Sequence, residues 1–166
     1  KEVPLAVSAA PIRTFTNDPL QARSLDKTDI RDLRRWFINA AKRSKEAGFD
    51  LICLYGAHGF GIFQHFLSRA TNHRTDEYGG SLENRARFVN EVISDMKEAV
   101  GDKMGITLRV SLDETIGELG FSNSEVRDFI EMNRDLPDLW DLAQGTWEDC
   151  SGPSRFKEEG AQEQLV

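Results

Sequence analysis

Cysteine is nearly absent from this chain: Cys53 and Cys150 are the only two among 166 residues. Two thiols so far apart make neither a disulfide framework nor a metal-type pair. Cys53, set in an apolar run, reads as a small buried hydrophobe in a reducing, cytoplasmic setting. No apolar stretch approaches the roughly 18 residues that a membrane span needs, and no secretory h-region opens the chain. Positive charge is also short. Lysine and arginine total 21 against 28 acidic residues, a net charge of −7 with no offsetting basic stripe, so nucleic acid and anionic membrane are disfavoured as partners. Three histidines are present, His58, His65 and His73. Their spacing matches no common ligand pattern, which argues against a metal site. The glycine fingerprint of a dinucleotide site is missing. Linkers and low-complexity tracts are missing too, so the chain reads as part of one domain.

What is present is a repeating alternation of hydrophobic period. From Thr28 to Ala47, the residues Ile30, Leu33, Phe37, Ala40, Ala41 and Ala47 recur at helical spacing, and Gly48 ends the run as a C′ glycine does. The charges Arg31, Arg34, Arg35, Lys42, Arg43 and Lys45 then form the solvated outer face of that helix. Leu51-Ile52-Cys53-Leu54-Tyr55 follows as a short apolar run, read as a strand buried on both faces. A long loop from Gly56 to Gly80 comes next, and such length in a compact domain marks function. Ser81 then caps a helix to about Val100, Ile106–Val110 is a second strand, and Ser122 with Glu125 fits a capping box opening a shorter helix. Leu139–Ala143 is a third strand.

Helices alternating with strands imply a parallel sheet joined by right-handed crossovers. The elaborate loops all follow the C-terminal ends of strands, where a (β/α)8 barrel builds its active site. A complete barrel takes roughly 250 residues. The expectation is therefore an α/β fold, a partial (β/α)8 TIM barrel of three βα units, or four if Val3–Ser8 holds the tail of an earlier strand. Residues 1–166 read as the central segment of one barrel domain, cut at both ends.

Three groups at strand ends could carry chemistry. Tyr55 and His58 flank a small-residue turn, and phenol beside imidazole makes an acid–base pair tunable near neutral pH. Spacing alone favours the plainer reading, a surface histidine next to a packed tyrosine. Arg109, in an apolar strand, must be paired or must reach the barrel mouth. There it either stabilises an anion on a bound cofactor or lines the barrel in a structural salt bridge. Trp147-Glu148-Asp149-Cys150 sets an aromatic ring beside carboxylates, which suits a cationic amine or is an ordinary polar loop.

The string Arg74-Thr75-Asp76-Glu77-Tyr78-Gly79-Gly80-Ser81-Leu82-Glu83-Asn84-Arg85-Ala86-Arg87-Phe88 is the most specific in the chain. It resembles the loop after the fourth strand in the Old Yellow Enzyme family of flavin barrels. Tyr55-Gly56-Ala57-His58, Trp140-Asp141 and Gly152-Pro153-Ser154-Arg155-Phe156 are similar to the amine-oxidising branch of that family, which includes trimethylamine dehydrogenase. Ene-reductases of the family usually carry His and then Asn or His at the positions of Tyr55 and His58. The resemblance implies an FMN-dependent oxidoreductase that moves a hydride equivalent from an N-methylated or other amine to flavin. It further implies an electron-transfer flavoprotein as acceptor, an iron–sulfur cluster outside this segment, and room for homo-oligomers. Tyr55 and His58 would manage protons, Arg109 would face the N1/O2 edge of the flavin, and Trp147 would wall the amine site. The third member of the proton-handling set is an aspartate. Counting back from Gly152 places it on Cys150, so the neighbouring Asp149 is assigned the role. The alternatives are an NAD(P)H-dependent ene-reductase of the same family and a truncated barrel fragment without activity.

Overall fold

A computed structural model describes residues 3–12 and 20–144. Two small ladders come first. Strand β1 (Leu5–Ala6) pairs in parallel with β4 (Arg23–Ser24), and β2 (Pro11–Ile12) pairs antiparallel with β3 (Leu20–Gln21). The tail of an earlier barrel strand expected within Val3–Ser8 is thus instead one edge of a separate ladder. The main body follows as α1 (Lys27–Glu46), β5 (Leu51–Gly56), α2 (Gly61–Leu67), α3 (Leu82–Val100), β6 (Gly105–Ser111), α4 (Asn123–Met132) and β7 (Leu139–Ala143). Strands β5, β6 and β7 form one parallel sheet in that order. Sequential parallel strands joined by helices make an arc of a (β/α)8 barrel.

Local chemistry explains where the helices start. Asp26 accepts from the amides of Thr28 and Asp29 at 2.8 and 2.9 Å, and Asp29 accepts from the amide of Asp26 at 2.8 Å. This reciprocal box opens α1. Ser81 and Ser122 cap α3 and α4. The box expected at Ser122 is only half made, because the Glu125 carboxylate pairs with Arg85 of α3 instead.

One face of the sheet is covered and the other is open. Leu54, Ile106, Leu108 and Val110 pack against Phe88, Val89, Val92 and Met96 of α3 in the core cluster. Phe66 stacks on Phe88 with ring centroids 4.3 Å apart, and Phe63 meets Phe37 of α1 at 4.8 Å. Strand alternation sends Leu51, Cys53 and Tyr55 the opposite way, where they are exposed. The reading of β5 as buried on both faces is therefore corrected, and so is that of Cys53, which is exposed. The reason is that helices cover one side of this three-stranded arc, and no described element lies across its inner side.

The first helix also departs from expectation at two residues. Arg34 is not merely solvated: it bridges to α3, with Nη1 2.9 Å from Glu91 and Nε 2.8 Å from Asp95. Lys45 donates to the Val100 carbonyl at 2.8 Å, a cation at the C-terminal end of α3 where the helix dipole favours one.

The long signature string proves to be a structural clamp. Arg74 donates to the carbonyls of Val7 and Leu25 at 3.0 and 2.6 Å and forks onto Asp76. Asn72 donates to the carbonyls of Phe66 and Tyr78. Tyr78 donates to Glu91 at 3.0 Å, and burial together with that carboxylate pushes its phenol up to about 12. Arg85 donates to the carbonyls of Leu67 and Gly80 and to Glu125. Its buried charge is thereby satisfied from three directions. The string ties the β1/β4 ladder, α2, α3 and α4 together.

Candidate functional site

The site is built at the C-terminal ends of β5 and β6, on the open face. Register places Tyr55 opposite Arg109, and Arg109 opposite Asp141, so three side chains from three strands fall in one row. The Arg109 guanidinium lies 5.7 Å from the centroid of the Tyr55 ring. Its Nη1 is 3.4 Å from Asp141 Oδ2. Arg109 is thus paired, and it is also partly exposed on the inner face. Asp141 was passed over as a site residue in the sequence, although its parity with Arg109 along adjacent strands was a usable signal.

The turn after β5 brings His58 back over this row. Its Nδ1 lies 2.6 Å from the Tyr55 hydroxyl, so the two residues form one hydrogen-bonded unit rather than an unrelated pair. The backbone of His58 is left-handed, with φ 60°, a conformation that costs a non-glycine residue about 1–2 kcal/mol. Its amide is held by Ser111 Oγ, at 2.8 Å, from the end of β6. Gly61, at φ +81°, lets the chain pass close under the strand end, because a Cβ there would sit 2.6 Å from the Tyr55 carbonyl oxygen.

Electrostatics set the protonation of this unit. Burial and then the nearby Arg109 charge lower the His58 pKa below its ordinary 6.5, while Asp141 opposes them. The imidazole is therefore neutral at neutral pH. Burial and the Asp141 charge raise the Cys53 thiol above its usual range, partly offset by Arg109, so Cys53 is not a thiolate nucleophile.

Gln64, Ser68, Glu114 and His65 gather around the His58 turn, a grouping that no spacing in the sequence discloses. Gln64 Oε1 accepts from the Gly59 amide at 2.8 Å, and Glu114 accepts from Gln64 Nε2 at 2.8 Å. Trp147, Asp149 and Cys150, assigned to the amine site and the proton-handling set, lie outside the described residues. No group of three or more His, Cys, Asp or Glu side chains suited to a metal ion occurs among the described residues. No described helix is long and apolar enough to cross a membrane.

Comparison with known proteins identifies the family. The chain belongs to the NADH:flavin oxidoreductase / NADH oxidase family, whose profile matches residues 1–165. The structure of histamine dehydrogenase from Rhizobium sp. 4-9 superposes with a TM-score of 0.92 and 84% identity, over 100% of this chain and 24% of that one. An NADPH dehydrogenase of Clostridium acetobutylicum is 40% identical across 86% of this chain and 41% of its own length. Dimethylamine dehydrogenase of Hyphomicrobium sp. (strain x) is 39% identical over 79% of this chain and 18% of its own length. The chain thus spans less than half the length of these relatives.

The residues present fit a flavin. A ring that gains negative charge on reduction needs a fixed cation with donors to spare. Arg109 offers one on the open face: Nη1 engages Asp141, while the buried Nε has no hydrogen-bond partner among the described residues.

Proposed function

We propose that residues 1–166 are the central segment of one FMN-binding barrel domain in an amine dehydrogenase, with histamine the first substrate to test. The observation that carries this reading is the Tyr55–His58 hydrogen bond of 2.6 Å beside the Arg109 cation. The 84% identity to a histamine dehydrogenase supports the choice of amine.

An amine reaches the enzyme mainly as an ammonium ion, which has no lone pair with which to expel hydride from the neighbouring carbon. A neutral imidazole hydrogen-bonded to a phenol is suited to take that proton. Tyr55 faces the open side and His58 backs it, so the pair removes one proton from the ammonium and leaves the free amine. FMN, when bound, would supply the acceptor for a hydride equivalent from the carbon next to nitrogen, the overall reaction with water being amine to aldehyde and ammonia. Arg109 would hold the flavin and offset the charge it gains, Trp147 would wall the ammonium site, and Asp149 would complete the proton-handling set. An electron-transfer flavoprotein would collect the electrons.

A second reading, an NAD(P)H-dependent reductase, is favoured by the 40% identity to an NADPH dehydrogenase. Anaerobic mixing of the flavin-loaded enzyme separates the two. Histamine bleaches the flavin absorbance if the proposal holds, whereas bleaching by NAD(P)H alone rejects it.

The depressed His58 pKa sets the pH dependence. A base with a lowered pKa keeps its unprotonated form down to more acidic pH, so the limiting rate of flavin reduction holds through neutrality. It falls only as pH drops below the ordinary histidine value of 6.5. Stopped-flow reduction at saturating histamine checks this, and a limb whose inflection lies above 6.5 contradicts it.

A further inference from the structure

The Tyr55–His58 unit depends on one strained turn, and that turn is held from the far side by a buried polar relay. Gln64 of α2 is fully buried, with 0% exposure, and Glu114, after β6, is 3% exposed. Glu114 accepts from Gln64 Nε2 at 2.8 Å, from the amide of Phe121 at 2.6 Å and from the Ser68 hydroxyl. A buried carboxyl without a cation is costly unless donors surround it, and here all three neighbours are donors. Because the carboxylate of Glu114 is an acceptor only, the Gln64 amide has one allowed orientation. Its NH2 turns to Glu114, which leaves Oε1 for the Gly59 amide at 2.8 Å. On the outer side, His65 Nε2 lies 3.0 Å from the Gly59 carbonyl oxygen. Ser111 holds the amide of His58 itself. The end of β6 and one short helix therefore converge on two consecutive residues.

We infer that Gln64 and Glu114 are positioning residues, a one-way relay that fixes the His58–Gly59 peptide and so the hydrogen bond of His58 to Tyr55. The inference rests on the role proposed above for that pair. A glutamine at position 114 would offer an NH2 group as well as an oxygen, and the orientation of Gln64 would no longer be dictated. A simple packing role for these residues would not depend on donor and acceptor sense, whereas the relay does.

Gln64→Glu tests this sense without changing shape. It sets two carboxyls against each other, and such a pair keeps one proton well above the ordinary carboxyl range. While they share it, the Glu introduced at 64 donates to Glu114 and still accepts from Gly59, so the relay is intact. Once the proton leaves, the two repel and the turn is released. The other titratable groups of the surroundings are accounted for. His58 faces Tyr55, Arg109 and Asp141, with His65 behind the turn. Around Glu114, Arg69, just after α2, donates to the Glu118 carbonyl, Arg85 and Glu125 pair with each other, and Asp113 accepts from the Asn123 amide.

The experiment follows the His58 ring by NMR against pH in the oxidised, flavin-loaded enzyme with labelled histidine, which requires no substrate. Wild type should show the His58 inflection alone, and Gln64→Glu should add a second one at His58 as the carboxyl pair ionises. Stopped-flow reduction by histamine should then fall about tenfold with rising pH in Gln64→Glu, opposite in direction to the loss caused by His58 protonation. Gln64→Ala should be about tenfold slow at every pH. A His58 titration in Gln64→Glu that matches wild type overturns the relay. Wild-type flavin that histamine leaves oxidised overturns the functional reading instead, and the NMR result still decides the relay. If Gln64→Glu loses its flavin, Glu114→Gln decides, because it keeps the shape of the relay but removes the acceptor-only partner that dictates the orientation of Gln64. A displaced His58 resonance upholds the relay, and an unmoved one overturns it.

Discussion

Replacing His58 with asparagine should slow flavin reduction by histamine about 100-fold while leaving bound FMN unchanged, the scale at which a positioned acid–base group contributes. Asparagine retains polarity and roughly the reach of Nδ1, but it cannot take a proton near neutral pH. The flavin should remain because Arg109, the cation proposed to face it, is on a different strand and is paired with Asp141. Tyr55→Phe should be slow to a similar degree, because the 2.6 Å contact makes the two side chains one unit. For the same reason the double variant should be little slower than either single one, the non-additivity expected of groups in contact. Rapid-mixing absorbance at saturating amine measures all three. An unchanged rate in His58→Asn removes the imidazole from the reaction, and additive losses dissolve the unit.

The second large effect concerns stability and lies in the signature string. A Cβ added to Gly79 would sit 2.1 Å from the carbonyl oxygen of Arg74. Neither side of that contact can give easily, because Arg74 is tied to Val7, Leu25 and Asp76, and Asp76 also holds the amide of Tyr78. Gly79→Ala should therefore cost about 3 kcal/mol, the upper end for forcing extra volume into a packed region. For a barrel domain of about 250 residues that is a fall in Tm of about 6–12 °C. Gly80 is the internal control. It has φ +84° and nothing within 4 Å of a would-be Cβ, so Gly80→Ala meets only backbone strain of about 1–2 kcal/mol. Thermal unfolding of the flavin-loaded protein should rank Gly79→Ala well below Gly80→Ala. The reverse order would mean that the clamp yields.

These two sites show what a sequence can and cannot disclose. The helices around Phe37 and Phe88 and the strands around Leu54 and Leu108 were legible because their apolar periods differ and because Gly48, Ser81 and Ser122 mark their ends. Helix α2 was not, since it is seven residues long and its N-cap, Phe60, offers no side-chain cap. The Tyr55, His58 and Arg109 cluster was legible once all three were placed at strand ends. The burial of β5 was misjudged because an apolar run does not say whether a sheet is covered on one face or two. Gln64, Ser68 and Glu114 were invisible as a group: Gln64 and Glu114 stand 50 residues apart, and their partnership exists only in the fold. The string from Arg74 to Phe88 marked the family correctly, yet its residues brace the barrel arc rather than perform chemistry. What made it specific is that nearly every polar side chain in it has a distinct bonding duty.

The account turns on one geometric claim, that the open face carrying Tyr55, Arg109 and Asp141 receives the flavin and the amine together. A crystal structure of the flavin-loaded enzyme, prepared anaerobically with histamine, tests it most directly. The account predicts the edge of the flavin ring against Arg109 and the substrate nitrogen within hydrogen-bond reach of the Tyr55 hydroxyl. A flavin bound elsewhere, leaving Tyr55, His58 and Arg109 turned to solvent, would contradict it.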